Sequence, residues 1–424
     1  MSRAPMFVDV PDKAASTETS ATAVSGSETS SKSQTSEDWI LVDKDKTGAQ
    51  AGLDKDAELD LCFICDCTGS MGAYIKAAQE NIQSIVSQIS QSQGAKVRFG
   101  LISYRDHPPQ DQTYVTQCHP FTNDLARMSE YVNTMKAQGG GDGPEAVTAG
   151  LHDALHLPWR PNATKICVLI ADAPPHGLEP TGDGFPNGDP EGRDPLDILR
   201  NMAARDITVY TVGCEPALGS YAFARDFLCT VAELTGGQAV ALSSAAMLAD
   251  VIINGSAEEL GLAKLQWKVE EEVQKIQVEA RSAGRDISAE VAVTMACTSL
   301  QAQGMKSVQM ETDGLMTNAT RDAWGLGARE RKSLASVKAE LGSKAPAPRL
   351  QGLGFGAMPA GRTATSAAAP FPPRFSPAYA PASAPAPVSA PSAPASRNVL
   401  KEDLISHSQV GRIMQKAQCQ NRLL

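Results

Sequence analysis

The sequence predicts a doubly wound α/β domain on a mostly parallel sheet, set between flanks read as disordered. Three observations lead there. Compact apolar runs such as Leu61–Ile64 and Ile166–Ala171 read as strands covered on both faces. Segments with apolar residues at helical spacing lie between them. The alternation fills Glu58 to Ile253, about 200 residues, the size of one domain.

In chain order, Leu59, Leu61, Phe63 and Ile64 form a strand ending at Asp66. Ile75, Ala78, Ile82, Ile85, Val86 and Ile89 then share one face of a helix. Val97–Tyr104 reads as a second strand and Tyr114–Cys118 as an edge strand. A helix over Asp124–Ala137 is entered at Thr122, a capping residue type. Another covers Pro144–Leu157, with proline in its first turn. Ile166–Ala171 is a strand, Asp194–Arg205 a helix and Ile207–Val212 a strand. Ala222–Leu234 is a helix stopped by Gly236-Gly237, and Gln238–Leu242 the last strand.

Beyond this domain (58–256), residues 257–342 read as a helical extension, with Ile287–Leu300 and Ser307–Thr312 as a helix-strand appendage. Residues 1–57 are too polar to bury a core, and 343–397 form a linker rich in Pro, Ala and Ser. In the tail, 398–424, Ser406 can cap a helix whose Val410, Ile413, Met414 and Ala417 share a face, open to partner docking or to lying back on the ordered domain.

Composition excludes several function classes. A formal charge of −10 without a Lys/Arg run argues against nucleic acid or an anionic membrane as the main partner. No apolar stretch reaches the roughly 20 residues of a membrane span, and no secretory signal is legible at the start. Nine cysteines without framework spacing imply reduced thiols and a cytoplasmic setting.

The chemistry sits where such sheets bind ligands, at the carboxyl ends of the strands. Asp66-Cys67-Thr68-Gly69-Ser70 follows the first strand; its spacing points one carboxylate and two hydroxyls at a common point, with Gly69 and Gly72 making the tight turn. Gly139-Gly140-Gly141-Asp142-Gly143-Pro144-Glu145 precedes a helix, and Asp172 ends the fourth strand before Pro174-Pro175-His176-Gly177. Hard oxygens from separate loops suit Mg2+, with Mn2+ or Ca2+ as alternatives. A metal left under-neutralised by such a set is a receptor for a partner's acidic side chain. Helix capping and turn chemistry are the competing reading of the same small polar residues.

These motifs resemble the von Willebrand factor A domain with its metal-ion-dependent adhesion site, over roughly Asp60 to Ile253. The resemblance implies a Rossmann-like fold, protein binding, and a metal held by Asp66, Thr68, Ser70 and Asp172. Threonine replaces the family's more usual first serine at Thr68, and the second loop departs from a common threonine ligand, leaving Asp142 as its oxygen donor. Within the family, Tyr104-Arg105-Asp106-His107 and Ala171-Asp172-Ala173-Pro174 are similar to the intracellular A domains attached to atypical alpha-kinases. No room for a kinase domain is legible, and Gly352-x-Gly354-x-Gly356 reads as a flexible loop.

The expected function is therefore an intracellular, non-enzymatic scaffold that binds an acidic protein partner through the metal, with Gly177–Asp194 as the loop that selects it. An alpha-kinase remnant, a hydrolase and a metal-free structural domain are the alternatives. His152 and His156 share a helix face as in zinc hydrolases but have no third ligand, and Cys62, Cys65 and Cys67 read as packing residues. His107 and His176 can either rim the site or pack their loops. Glu37-Asp38-Trp39-Ile40-Leu41-Val42 fits a strand-adding motif for a ubiquitin-like autophagy modifier, or Trp39 docks on the domain itself.

Overall fold

The computed structural model describes residues 58–93, 96–312, 314–315, 317, 320–341 and 399–420. The readings of 1–57, of Trp39–Val42, of the 343–397 linker and of Gly352–Gly356 fall outside them.

Six strands form the central sheet: β1 (Glu58–Asp66), β2 (Lys96–Tyr104), β3 (Thr116–Thr122), β4 (Thr164–Ala171), β5 (Ile207–Cys214) and β6 (Ala239–Leu242). Their order is β3-β2-β1-β4-β5-β6, all parallel except β3, which runs antiparallel along β2 at the edge. The chain leaves β1 toward β2 on one side and returns to β4 on the other. This reversal sets the topological switch point at the carboxyl ends of β1 and β4, where doubly wound sheets hold ligands.

Strand alternation feeds two cores. Cys62, Ile64 and Tyr104 face one side, under α3 (Val147–Leu155), α4 (Pro195–Ala204) and α5 (Ala224–Thr235). Leu61, Phe63 and Cys65 face the other, under α1 (Gly72–Gln93), α2 (Leu125–Thr134) and α6 (Leu248–Ser282). Cys62, Cys65 and Cys67 are thus buried packing groups.

Local differences from the sequence reading have identifiable causes. Asp124, not Thr122, caps α2, its carboxylate accepting the N–H of Ala126 at 2.8 Å and of Arg127 at 3.3 Å. The helix expected from Pro144 begins only at Val147, because Glu145 is held extended: its N–H donates to the Pro174 carbonyl at 2.9 Å. The edge strand lies later than Tyr114–Cys118, where residues 116–122 find partners on β2.

Beyond the sheet, α7 (Ala289–Ala302) packs on the distal half of α6 through Val269, Val273, Ala292 and Ala296. Strand β7 (Lys306–Glu311) follows, then two short helices, α8 (Arg321–Arg329) and α9 (Leu334–Leu341), inside the stretch read as a helical extension but not delimited there. Strand β8 (Val399–Leu404) pairs antiparallel with β7, and α10 (His407–Cys419) follows from Ser406 with a full capping box. The apolar face of α10 is spent internally: Val410, Ile413, Met414 and Ala417 are all buried. Of the two roles open for the tail helix, the structure shows the helix lying back on the ordered part of the chain. No helix among the described residues is long and apolar enough to cross a membrane.

Candidate metal centre

The turn after β1 is built on backbone bonds between loops. The N–H of Cys67 donates to the Tyr104 carbonyl at 2.8 Å and that of Gly69 to the Gly139 carbonyl at 3.1 Å. This seats Asp66, wholly buried, at the switch point. The backbone N–H and the hydroxyl of Thr68 both donate to Asp66 Oδ1, at 2.8 and 2.7 Å. Thr68 Oγ1 lies 3.3 Å from Ser70 Oγ, and the exposed Ser70 side chain acts in turn on the buried Asp172 at the end of β4, working to lower its pKa. Four of the five residues singled out in the sequence, Asp66, Thr68, Ser70 and Asp172, therefore form one connected group.

The second loop contributes differently from the expectation. Gly140 has a φ of +81°, and a Cβ there would lie 2.8 Å from Glu145 Oε1 and 3.3 Å from the Thr68 Cβ. A glycine is required both by that conformation and by the close approach. Glu145, 5% exposed, and Thr68 thus both lie close against Gly140. Asp142 turns instead to Asp106 and His176, with one potential ligand atom from each of the three lying within 4.8 Å of the others. Sequence reading placed Glu145 in a helix and gave Asp106 no role. The signal available for Glu145 was a carboxylate directly after the glycine-rich loop Gly139–Pro144; for Asp106, its place just past a buried strand.

His107 and His176 are both buried at this rim, not exposed around it. His107 Nε2 lies 3.4 Å from Asp189, and His176 bridges Asp106 and Asp183 at 2.7 and 2.9 Å. The segment from Gly177 to Asp194 thus folds over the loop after β2. His152 and His156 are taken up locally, by Asp153 at 3.2 Å and by the His152 carbonyl at 2.7 Å.

Negative charge at the rim is poorly matched. Among the described residues no Lys or Arg bonds Asp66, Glu145 or Asp172; the neighbouring Arg105 donates to the Cys67 carbonyl, the Thr113 hydroxyl and the Lys136 carbonyl. Burial, and then the charge of Asp172, raise Asp66 to about 7. Burial, reinforced by Asp66 and Asp106, raises Glu145 to about 11. Burial also raises Asp172, against the hydrogen bond from Ser70. For His176 burial works to lower the value, but the hydrogen bonds to Asp106 and Asp183 prevail and raise it to about 9.

These donors fit a hard divalent cation. Asp66 Oδ2 and Glu145 Oε2 are buried and meet no hydrogen-bond donor among the described residues, a state that costs about 1–3 kcal/mol or more for each group in the absence of a cation or proton. Carboxylate and hydroxyl oxygens are the ligands Mg2+ selects.

One family model and several known proteins match this chain. Residues 60–179 match the family model of the von Willebrand factor A domain. Over 155 residues the chain is 34% identical to the alpha-protein kinase vwkA of Dictyostelium discoideum, covering 36% of this chain and 24% of that protein. Over 199 residues it is 29% identical to a protein of Acanthamoeba polyphaga mimivirus named for an ariadne-like RING finger, covering 45% and 19%. The chain thus spans about a quarter or less of the length of these relatives. Among solved structures, a von Willebrand factor type A protein from Catenulispora acidiphila matches with a TM-score of 0.34 at 18% identity, over 48% of this chain and 43% of that one.

Proposed function

The chain carries a von Willebrand factor A domain, a module generally used for protein binding and adhesion, and from that premise we propose that it binds protein partners through a divalent cation at the sheet rim. Thr68 and Ser70 would ligate the ion through their hydroxyls, and Asp66 and Asp172 directly or through water. Asp142, expected from the sequence as a fifth ligand, is turned to Asp106 and His176 and is left out of this set. The ion, Mg2+ or alternatively Mn2+ or Ca2+, supplies a Lewis-acidic position that an acidic side chain of the partner completes. The chain's own residues place that position: Thr68 orients Asp66, and Ser70 joins Asp172 while facing solvent. One observation carries the reading, the buried Asp66 Oδ2 without a donor beside two hydroxyls. The chain would act as a cytoplasmic scaffold without turnover, in keeping with nine cysteines that are all free thiols. An autophagy modifier recognised through Trp39–Val42 remains a separate candidate partner.

A metal-free rim is the second reading, favoured by the raised Glu145, whose proton neutralises charge without an ion. Calorimetry of Mg2+ binding to wild type and Asp66→Ala decides between them. Binding to wild type alone supports the cation site, and identical traces refute it. A pull-down with wild type and Ser70→Ala, each with and without chelator, then tests whether partner capture follows the metal.

A further inference from the structure

We propose that Asp106, Asp142 and His176 form a second cation site, apart from the Asp66–Asp172 group, for a divalent ion that accepts an imidazole nitrogen, of the zinc, cobalt or manganese kind. The three residues come from separate segments: the end of β2, the loop before α3 and the loop after β4. One ligand atom of each lies within 4.8 Å of the other two.

Unsatisfied oxygens point to what the cluster lacks. Asp106 is wholly buried; its Oδ1 accepts the His107 N–H at 2.6 Å and faces His176 Nε2 at 2.7 Å, while its Oδ2 meets no donor. Asp142 Oδ2 accepts the Gly184 N–H, while Oδ1 is buried without a donor. An oxygen of each carboxyl lies within 4.8 Å of one of the other, and like charges that close are relieved by a proton or a cation between them.

The imidazole is oriented as a ligand is. His176 Nδ1 lies 2.9 Å from Asp183 Oδ1, and Asp183 is itself fixed by the N–H groups of Gly177 at 2.7 Å and Phe185 at 2.8 Å. A carboxylate on one ring nitrogen, directing the other toward further carboxylates, is the arrangement that supports metal-bound histidines. Without an ion, the ring offers one positive charge to three carboxylates, Asp106, Asp142 and Asp183. On loading, the Nε2 proton leaves to solvent and the nitrogen lone pair takes the metal. The ion would tie the 176–194 segment to the rim. The ligand sets differ: oxygen alone at the first site suits Mg2+, while an imidazole favours zinc-like ions.

The test uses the full untagged chain, stripped with chelator, then equilibrated with Co2+ or Zn2+ in excess Mg2+. Retained metal is measured by mass spectrometry and the Co2+ ligand field by visible absorption. Wild type and Asp66→Ala should both retain one equivalent, with a nitrogen-ligand Co2+ spectrum. His176→Gln and Asp142→Asn should bind at least tenfold more weakly, and Asp183→Asn about 10- to 100-fold more weakly. If His176→Gln does not fold by circular dichroism, Asp142→Asn, on a half-exposed loop, decides. Failure of wild type to retain Co2+, retention undiminished in folded Asp142→Asn, or loss in Asp66→Ala alone would overturn the proposal. Because Asp66→Ala reports the adhesion site separately, either site can fail without the other.

Discussion

Asp60 and Asp66 sit at opposite ends of β1, and both are wholly buried. Asp60 receives Arg98 through Nε at 2.9 Å and Nη2 at 2.6 Å, and Arg160 through Nε and its backbone N–H, each at 2.8 Å. Among the described residues, Asp66 receives only Thr68. The contrast extends across the sheet. At the amino end, Glu258 and Glu259 of α6 are met by Arg412 of α10 at 2.9 and 3.0 Å, Lys416 also reaches Glu259, and Gln409 binds Glu258 at 3.0 Å. At the carboxyl end, Asp66, Glu145 and Asp172 meet no guanidinium or ammonium among the described residues. Since burial of a carboxylate is tolerated when it is paired, the paired end reads as architecture and the unpaired end as a receptor.

The largest expected effect sharpens that division. Arg412→Ala leaves Glu258 and Glu259 buried without their guanidinium and should lower stability by about 3–5 kcal/mol, read from the urea midpoint. Asp66→Asn in chelator should be neutral or stabilising, because it removes a charge that lacks a partner; a loss as large as that of Arg412→Ala would break the comparison. Next, Mg2+ at a hundredfold its dissociation constant should stabilise wild type by about 2.7 kcal/mol and Asp66→Ala not at all, measured by thermal melting.

A smaller effect separates the ends by pH. The folded value of Asp66 is raised to about 7. Between about pH 4 and 7 the folded chain therefore keeps a proton that the unfolded chain has lost. In chelator, stability should accordingly fall as pH rises through that window, by up to about 1.4 kcal/mol per unit, and Asp66→Asn should flatten the slope. Asp60 behaves oppositely. Burial works to raise it, but hydrogen bonds from Arg98 and Arg160 outweigh that and hold it below the ordinary carboxylate range. Its contribution is complete above that range and is lost as pH falls through it, a loss that urea midpoints of Asp60→Asn would not show. Smallest of all, Ser406→Ala removes the cap of α10 and should cost about 1 kcal/mol, leaving the Mg2+ response unchanged.

Much of the sheet was legible because its strands are short apolar runs between amphipathic helices; Leu61–Ile64 and Ile166–Ala171 could hardly pack otherwise. Strand β8 was not: Val-Leu-Lys-Glu-Asp-Leu carries three charges and is exposed throughout, so its pairing is set by β7 rather than by its own pattern. Helices α8 and α9 are short, and Trp324 and Val337 show their purpose only when buried against the sheet's helices. At the rim, Asp66, Thr68 and Ser70 stood out because local spacing alone brings them together. Glu145, Asp106 and Asp183 did not, because their positions depend on contacts between loops far apart in sequence: Glu145 on the Pro174 carbonyl, Asp106 and Asp183 on the ring of His176.

The ladder that joins Lys306–Glu311 to Val399–Leu404 fastens the segment from residue 399 onward to the body of the fold. An engineered protease site between residues 342 and 398 would therefore sever the polypeptide without parting it. The two pieces, clasped by β7–β8 and by the ion pairs of α10, would elute from a sizing column as one particle. Expressed as separate genes, the two pieces should co-elute if the ladder and the ion pairs alone suffice to hold them.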